Sequence, residues 1–529
     1  MSTKKVTNHY RKPFWVASSF LVVIIVLELI SILWLNSGHF TFTLDDAYIH
    51  LALAENIVQG HYGVNLSEFS APSSSILWPF LIAPFSRTSI SIYLVLIINS
   101  ILAIGTLFLF WKILLPLPDN QSTPVDKKQA TLLTVLLIIL IPATNMIGLI
   151  YTGMEHSAQV FLATMIVAGM IYEIEHENTP WWFITAIIMA PLIRYENLAL
   201  SLPALFFLFF RGYKTKSLLA AGLVLFSLSI FSFFLVNLGL APFPSSIIAK
   251  SSVIASGGKL NTLVAHLFNS LTIPQGVLLI VGIVLLIYPL LNNKLESGKR
   301  FLAFAISISV LIHLLGGEYG WYYRYEIYIW TSLILTLLYL NKSWIYRLPK
   351  KLGAHKATGF ILLSGVLLGA PYVIMLLMNP LAANIIYKQQ YQLHRFATEY
   401  YLQPVVVNDL GYVSYQNDNY VLDLWGLGSI EALEMRQNAE NSEWMSTLTN
   451  QKNVKLAMIY DDWFSDIPKD WHKIGELSFT KLWLPPSKVS VSFYSVDCNS
   501  YSNILDSIER FSPTLPKGVK FQFAPSTCQ

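Results

Sequence analysis

Long apolar runs separated by short polar segments extend from residue 14 to residue 379 of the chain. A membrane-spanning helix needs about 20 mostly apolar residues, so the pattern predicts a polytopic α-helical membrane protein. After Asn379 the chain returns to short apolar runs among polar residues, which predicts a separate, smaller domain. We predict about eleven transmembrane helices, at residues 14–36, 89–116, 130–151, 157–174, 181–193, 198–210, 217–240, 271–291, 300–316, 325–341 and 357–379.

The composition agrees with a membrane protein and excludes other classes. Charged residues make up 12% of the 529 residues and hydrophobic residues 54%, with a mean hydropathy of +0.52. Soluble domains carry about 25% charged residues, so a cytosolic enzyme and a disordered chain are both excluded. The net charge of +4 comes without a basic stripe or a zinc-ligand spacing, and we therefore expect no nucleic-acid partner.

The distribution of positive charges predicts the orientation in the lipid bilayer. With the N-terminus in the cytoplasm, the inner segments hold eighteen Lys or Arg and the outer loops hold four. Residues 76–86 are apolar but too short to span, and we expect a re-entrant or interfacial segment there. If they did cross, nine positive residues would lie inside and fourteen outside. We therefore predict an uncleaved N-terminal anchor, a first outer loop at 37–75, and residues 380–529 outside the cytoplasm.

The C-terminal region has the pattern of a small α/β domain. Short apolar runs at 405–407, 420–424, 455–460 and 489–494 predict strands, and residues 385–401 predict a helix. The two cysteines of the chain, Cys498 and Cys528, both lie in this region. An oxidising compartment would permit a disulfide between them, although the sequence leaves their distance open.

The first outer loop, residues 37–75, is acidic and contains no Lys or Arg. Residues 44–59 have the apolar spacing of a helix, and Gly60 is placed to end it. We expect a short helix on the outer membrane face. Two adjacent carboxylates, Asp45 and Asp46, stand at its start.

These two carboxylates have a structural and a functional interpretation. In the structural one, Thr43 is the N-cap and Asp46 occupies the third helical position of a capping box. In the functional one, a carboxylate just above the lipid accepts a proton from an acceptor hydroxyl or binds a metal ion. His50, one turn after Asp46, either orients a carboxylate or is simply a polar interfacial residue. We favour Asp45 for catalysis, because Asp46 has the better capping position.

Two arginines are candidates for binding a phosphate. Arg194 lies between two short apolar segments, where a charged residue costs roughly 2.5–3.5 kcal/mol on insertion scales. A guanidinium there can bind phosphate oxygens in a bidentate manner, or it can pair with Glu196. Arg324, in the aromatic run GGEYGWYYRYE, could bind two phosphate oxygens in the same way. Its alternative is a snorkelling arginine in an interfacial aromatic belt.

Other polar residues near predicted outer helix ends are weaker candidates. Lys250 could meet a phosphate, although a solvated loop lysine is the simpler interpretation. Glu155 and His156 could act as an acid–base pair or as metal ligands, or could be interfacial. The chain contains no Walker loop, zinc cysteine cluster or nucleotide-binding GxGxxG motif, so we expect no nucleotide cofactor.

The loop sequence resembles the start of GT-C superfamily glycosyltransferases, which take sugar from polyprenyl-phosphate-linked donors. The run LDDAYIHLALAENIVQGHYGVN (44–65) is followed by SAPSSSILWPFL (70–81). The family pattern is an acidic pair, an interfacial helix, a "GHG-V-N" turn and a "YTSPLW"-like segment. This chain departs from it at Ala71 and at the extra Tyr62. The bacterial arabinofuranosyltransferase-like group, with its outer C-terminal domain, is the most similar.

Later segments resemble elements of the same group, in the same order. Five short runs carry this likeness: YTGME (151–155) to "SGLE", RYE (194–196) to "RPE", YRY (323–325) to "YRY/YRF", and NDLG (408–411) with DLWGL (423–427) to "NDIG…DLWGL". The resemblance implies a transmembrane glycosyltransferase domain at 1–379, with its catalytic part in the first outer loop, and an extracytoplasmic α/β domain at 380–529. It further implies a multi-pass protein of the bacterial cytoplasmic membrane.

Our hypothesis is an enzyme that moves sugar from a polyprenyl-phosphate donor to a glycan, lipid or protein acceptor at the outer surface. Asp45 or Asp46 would be the general base, and Arg194 and Arg324 would hold the lipid phosphate. A divalent cation (Mg, Mn or Ca) at Asp45 and Asp46 is left undecided. The alternatives are a transporter or flippase of lipid-linked saccharides and a noncatalytic assembly protein. Further substrate-binding candidates are Glu196, Glu155, His156, His50 and Lys250.

Overall fold

A computed structural model describes residues 11–88, 90–116, 127–250, 260–291, 296–439, 441–481, 487–526 and 528. The protein is mostly helical. Its helices over the described residues are Arg11–Leu35, Asp46–Val58, Trp78–Ile82, Ser91–Leu114, Lys127–Ala143, Met146–Thr152, His156–His176, Trp181–Ile193, Leu198–Phe210, Lys214–Asn237, Ser245–Lys250, Leu260–Thr272, Pro274–Leu291, Ser297–Gly316, Ile327–Leu340, Lys342–Leu352, Ala354–Lys388, Gln390–Arg395, Gly411–Ser414, Ile430–Asn438, Glu443–Gln451 and Cys498–Phe511.

Seven helical segments in the described part of the chain are long and apolar enough to cross a membrane. An eighth arises if the helix pair Leu260–Thr272 and Pro274–Leu290, bent by 96°, counts as one span. Three shorter apolar helices lie between the long ones, at Trp181–Ile193, Tyr195–Phe210 and Ile327–Leu340. The predicted membrane character is therefore confirmed, while the count of eleven spans and the orientation stay predictions.

The helix boundaries follow the apolar pattern closely. The two short predicted segments are the helices Trp181–Ile193 and Leu198–Phe210, joined through the 3₁₀ turn Tyr195–Asn197. The predicted span at 130–151 is interrupted, because Asn145 adopts a left-handed conformation with φ of 50°. The pattern therefore locates apolar segments well but does not reveal a break inside one.

The C-terminal region forms a six-stranded mixed sheet. Its strands are β1 Val405–Val407, β2 Val421–Asp423, β3 Leu456–Ile459, β4 His472–Lys481, β5 Ser487–Ser495 and β6 Val519–Phe523. The strand order is β2-β1-β3-β5-β4-β6. β1 runs parallel to both β2 and β3, and the remaining pairs are antiparallel. The predicted strands β1, β2, β3 and β5 are confirmed, whereas β4 and β6 were not predicted.

A disulfide fastens the last helix of the sheet region. Cys498 begins the helix Cys498–Phe511 and is bonded to Cys528, with a Cα–Cα distance of 5.3 Å. Asp497 caps the same helix, since its Oδ1 accepts the backbone N–H of Ser500 at 2.8 Å. The pairing that the sequence left open is therefore made.

Reducing this disulfide is expected to lower the free energy of unfolding by about 3 kcal/mol. The bond closes a loop with a sequence separation of 30 residues, and opening it restores chain entropy to the unfolded state. Denaturant unfolding with and without reductant measures the effect. The Cys498→Ser/Cys528→Ser variant is the control and should not respond to reductant. An unchanged wild-type midpoint on reduction would contradict this expectation.

The chain divides into two compact units, each built from separate stretches of sequence. The helical unit contains Met1–Leu29, Val95–Ile230 and Ser252–Asn379. The loop-and-sheet unit contains Ile30–Leu94, Phe231–Ser251 and Pro380–Gln529. The acidic loop and the C-terminal sheet therefore belong to the same unit, although more than 300 residues separate them along the chain.

Candidate functional site

The predicted helix of the acidic loop is present at Asp46–Val58, here called the loop helix. Gly60 follows its end with φ of 79°, a conformation that glycine adopts without strain. The capping interpretation was wrong in its details. The residue before the helix is Asp45 rather than Thr43, and its side chain makes no capping hydrogen bond. Asp46 is the first helical residue, so capping gives no reason to separate the roles of the two carboxylates.

Asp45 is held instead by the C-terminal part of the same unit. Its Oδ1 accepts the backbone N–H of Tyr412 at 2.8 Å, and only 7% of the residue is exposed. A side chain at Gly411 would collide with the carboxylate and the backbone oxygen of Asp45. The segment NDLG therefore packs directly onto the start of the loop helix.

A second carboxylate, Asp409, accompanies Asp45. Burial is the main cause that raises the pKa of Asp45 well above its ordinary value, and the negative charge of Asp409 raises it further. Asp409 is only partly buried. Its Oδ2 accepts a hydrogen bond from Gln390 Nε2 at 3.0 Å, and the same amide donates to the hydroxyl of Tyr460 at 3.0 Å. Sequence reasoning quoted Asp409 within a motif but did not select it as a site residue.

The other loop candidates lie on the same helix. Asp46 is partly exposed and His50 is buried. His50 Nδ1 lies 3.0 Å from the hydroxyl oxygen of Ser73. This contact joins the loop helix to the SAPSSS segment that the sequence resemblance singled out.

The "GHYGVN" turn is fastened to the sheet. Asn56 Nδ2 on the loop helix donates to the carbonyl of Gly63 at 2.8 Å, which closes the turn. Asn65 donates through Nδ2 to the carbonyl of Val421 and accepts the N–H of Val421, both at 2.9 Å. Its amide thus extends the hydrogen bonding of strand β2. Motifs more than 300 residues apart in sequence are therefore brought together around Asp45.

The turn after β2 is organised by a buried carboxylate. Asp423 accepts hydrogen bonds from the backbone N–H groups of Trp425 (2.8 Å), Leu427 (2.6 Å) and Gly428 (2.9 Å). Burial nevertheless raises the pKa of Asp423 to about 6, because these bonds offset only part of the desolvation. The DLWGL motif is thus a tight turn wrapped around one carboxylate.

We expect Asp423 to contribute to the pH dependence of stability. Its folded pKa of about 6 exceeds the ordinary value of 3.8, so the folded state binds the proton more tightly. The free energy of unfolding should therefore fall as pH rises from about 4 to 6, by on the order of 3 kcal/mol, and this contribution should level off above pH 6. Thermal unfolding of Asp423→Asn should show a smaller fall across this window. Equal slopes in the two proteins would contradict the assignment.

In the helical unit, Arg194 is the centre of an ion-pair cluster. Its guanidinium lies 2.6 Å from Glu155 Oε1 and 2.5 Å from Glu196 Oε1. Arg194 and Glu155 are both buried. The pairing with Glu196 that the sequence left as an alternative is present, and Glu155 adds a second carboxylate. Glu155 and His156 are both fully buried within the helical unit, and their interfacial position stays a prediction.

Arg324 joins the same region of the helical unit. It donates to Met154 Sδ at 2.6 Å and to the hydroxyl of Tyr325 at 3.1 Å, and it is only 1% exposed. The snorkelling interpretation was therefore wrong. The ring of Tyr325 lies 5.0 Å from the guanidinium carbon of Arg324 and 5.7 Å from that of Arg194. The YTGME, RYE and YRY motifs are thus in contact with one another in the helical unit. The side chain of the remaining candidate, Lys250, lies outside the described residues.

One group of residues in the described chain contains metal-binding residue types, one histidine and two cysteines, but cannot act as a metal site. The ligand atoms of His472, Cys498 and Cys528 lie close together. The two sulfurs are bonded to each other, and a metal requires the thiolate form. This group is therefore a disulfide with a neighbouring histidine.

Comparisons with known proteins find similarity to a family model and to solved structures. A family model described as a domain of unknown function (DUF8728) matches residues 383–494. Among solved structures, the chain is similar to the crystal structure of the Archaeoglobus fulgidus oligosaccharyltransferase complex with Zn and sulfate. That match has 12% identity and a TM-score of 0.43, and it covers 95% of this chain and 75% of that chain. No curated protein matches. A likeness this distant does not assign a fold or a function.

Proposed function

We propose that this protein is a membrane glycosyltransferase that moves sugar from a polyprenyl-phosphate-linked donor to a glycan, lipid or protein acceptor outside the cytoplasm. The observation that carries the proposal is the assembly around Asp45. The acidic loop and the NDLG segment resemble glycosyltransferase motifs, and Asp45 accepts the Tyr412 amide hydrogen beside Asp409. Two separate sequence signals thus meet at one carboxylate. Seven helices in the described chain are long and apolar enough to cross a membrane, which supports a lipid-linked donor.

The chemistry assigns one role to each charged group. The acceptor hydroxyl oxygen bonds to the anomeric carbon while the bond from that carbon to the phosphate oxygen breaks. The hydroxyl proton passes to Asp45, or to Asp46, and polyprenyl phosphate leaves with the bonding electron pair. Guanidinium groups bind phosphate oxygens in a bidentate manner, and we assign this role to Arg194 and Arg324. Glu155 and Glu196 then position Arg194 through their ion pairs.

The raised pKa of Asp45 is consistent with a base role. A carboxylate whose pKa lies above its ordinary value is a better proton acceptor when it is ionised. The second carboxylate at Asp409 supports this, because its negative charge favours proton uptake by Asp45. The alternative to the base role is a divalent cation held by Asp45 and Asp46, since carboxylate oxygens are the ligands that Mg²⁺ and Ca²⁺ prefer. It would supply electrostatic stabilisation to the leaving phosphate.

The proposal is tested by separating transfer from transport. Proteoliposomes containing the purified chain are supplied with radiolabelled polyprenyl-phosphate sugars and candidate acceptors. The glycosyltransferase produces labelled acceptor and free polyprenyl phosphate. A flippase would instead move intact labelled lipid between leaflets without forming either product. Movement without product would overturn the proposal in favour of transport.

A further inference from the structure

Three polar or aromatic residues follow the carboxyl ends of the parallel strands of the C-terminal sheet. Asp409 follows β1, Trp425 follows β2, and Tyr460 begins the turn after β3. Because β1, β2 and β3 are parallel, their carboxyl ends meet at the same edge. The order β2-β1-β3 also makes the space between β1 and β3 a topological switch point, where open α/β sheets bind ligands.

Two tryptophans and a tyrosine form a partly open aromatic cluster at this edge. Trp463 is 42% exposed. Its ring centre lies 5.0 Å from that of Trp425, at an interplanar angle of 68°, and 5.4 Å from that of Tyr460, at 24°. We call Trp425, Tyr460 and Trp463 the aromatic platform. Two rings set at a steep angle make a corner that can contact two sides of a small rigid ligand.

The platform is held in place by its polar neighbours. Asp461, at the start of the Trp463 turn, has an Oδ2 that accepts hydrogen bonds from the hydroxyls of Ser492 at 2.7 Å and Tyr494 at 3.1 Å. The other tryptophan belongs to the turn that Asp423 organises. Both tryptophans therefore sit on fixed turns, which lowers the entropy cost of binding.

Arg436 supplies polar groups beside the rings. Its guanidinium carbon lies 3.8 Å from the centre of the Trp425 ring. Its Nε is buried and has no hydrogen-bond acceptor among the described residues. Arg436 as a whole is only partly buried, and its guanidinium can donate hydrogen bonds to an oxygen-rich ligand.

The platform is continuous with the Asp45 region inside the loop-and-sheet unit. One amide, Gln390 Nε2, donates both to the hydroxyl of Tyr460 and to Asp409 Oδ2, each at 3.0 Å. Asp409 in turn acts electrostatically on Asp45. A ligand bound to the platform would therefore be linked to the proposed base through Tyr460, Gln390 and Asp409.

We propose that the aromatic platform, with Arg436, binds a sugar ring of the acceptor glycan. A pyranose or furanose ring presents a face of C–H groups, which carry partial positive charge, and its hydroxyls point outward around the rim. The face of an aromatic ring is electronegative and apolar, so it complements the C–H face. The Arg436 guanidinium meets the rim hydroxyls. The acceptor role rests on the proposed function, whereas sugar binding by the platform does not.

Saturation-transfer NMR on the full-length protein in detergent tests this without any donor. The probes are trisaccharides of glucose, galactose, mannose and arabinose, with sorbitol as an open-chain polyol. We expect saturation of the ring C–H protons of at least one trisaccharide and none for sorbitol. Trp463→Leu should weaken that binding at least tenfold, while Trp463→Tyr should stay within a few-fold of wild type.

A matched control separates the platform from general aromatic exposure. Phe523 lies on β6 in the same unit and is 49% exposed, and Phe523→Leu should leave trisaccharide binding unchanged. Thermal unfolding of each variant confirms that the fold is retained. Saturation of no trisaccharide, or equal loss in Trp463→Leu and Phe523→Leu, would overturn the proposal.

A second readout distinguishes a sugar site from a membrane contact. The fluorescence of Trp463 is the difference between the tryptophan emission of the wild type and that of Trp463→Leu. If the platform instead inserts into lipid, brominated lipids in proteoliposomes will quench this emission. Such quenching would also overturn the proposal. Trisaccharide binding that persists in a protein without transferase activity would retain the platform and reject only the proposed function.

Discussion

Replacement of Asp45 by asparagine is expected to lower the rate of sugar transfer by at least about 10²-fold, the lower end of the range for losing a general base. Asparagine has nearly the same shape, and its Oδ1 can still accept the Tyr412 amide hydrogen that Asp45 accepts at 2.8 Å. What it loses is the ability to take up a proton. Initial rates of label transfer at saturating donor measure this change directly.

The same loop helix offers a matched control for Asp45. Glu55 is also a carboxylate on this helix, and its Oε2 accepts a backbone hydrogen, that of Gln416 at 3.1 Å. Burial raises its pKa to about 7. Glu55 lies within the helix and is partly buried, whereas Asp45 precedes the helix and is buried, but both carboxylates accept a backbone hydrogen and have a raised pKa. We expect Glu55→Gln to change the rate less than threefold. A similar loss in both variants would assign the effect of Asp45→Asn to structure rather than to proton transfer.

Replacement of Arg194 by alanine is expected to lower the free energy of unfolding by about 3–5 kcal/mol. The substitution leaves Glu155, which is fully buried, without the guanidinium that lies 2.6 Å from it. A buried carboxylate without its partner is costly, because it has lost water and gained no compensating charge. Unfolding of the detergent-solubilised protein in denaturant, compared with wild type, gives the difference.

Two further variants test whether the loss comes from the unpaired charge. Arg194→Ala combined with Glu155→Gln removes both charges, and we expect it to recover part of the lost stability. Lys299 forms an exposed pair with Glu296 in the same unit at 3.3 Å, and Lys299→Ala should cost less than about 1 kcal/mol. No recovery in the double variant would show that packing, rather than charge, dominates.

The apolar pattern predicted local structure well, because the forces that set it are local. Helices Trp181–Ile193 and Leu198–Phe210 begin and end where the sequence placed them. The loop helix lies within two residues of its predicted bounds. Strand β4 escaped prediction because its residues mix polar and apolar side chains without strict alternation. Its pairing with β5 and β6, a non-local effect, fixes it as a strand.

The candidate site was predictable only in part, because contacts distant in sequence decide it. Thr43 and Asp46 had the spacing of a capping box, yet the helix begins at Asp46 with Asp45 as the residue before it. The hydrogen bond that Asp45 accepts from Tyr412 comes from a residue distant in sequence. Asp409 carried a motif signal but no indication of its place beside Asp45. Hydropathy likewise could not show that Glu155 and Arg324 are buried, since it does not report which residues between helices pack inward.

Sugar transfer by the Asp45→Asn/Asp46→Asn double variant tests the central claim most directly. Purified wild-type and variant proteins are reconstituted in proteoliposomes with a radiolabelled polyprenyl-phosphate sugar and an acceptor, and equal folding is checked by thermal unfolding. Our account predicts labelled acceptor from the wild type and almost none from the double variant. Full activity in the double variant would contradict it.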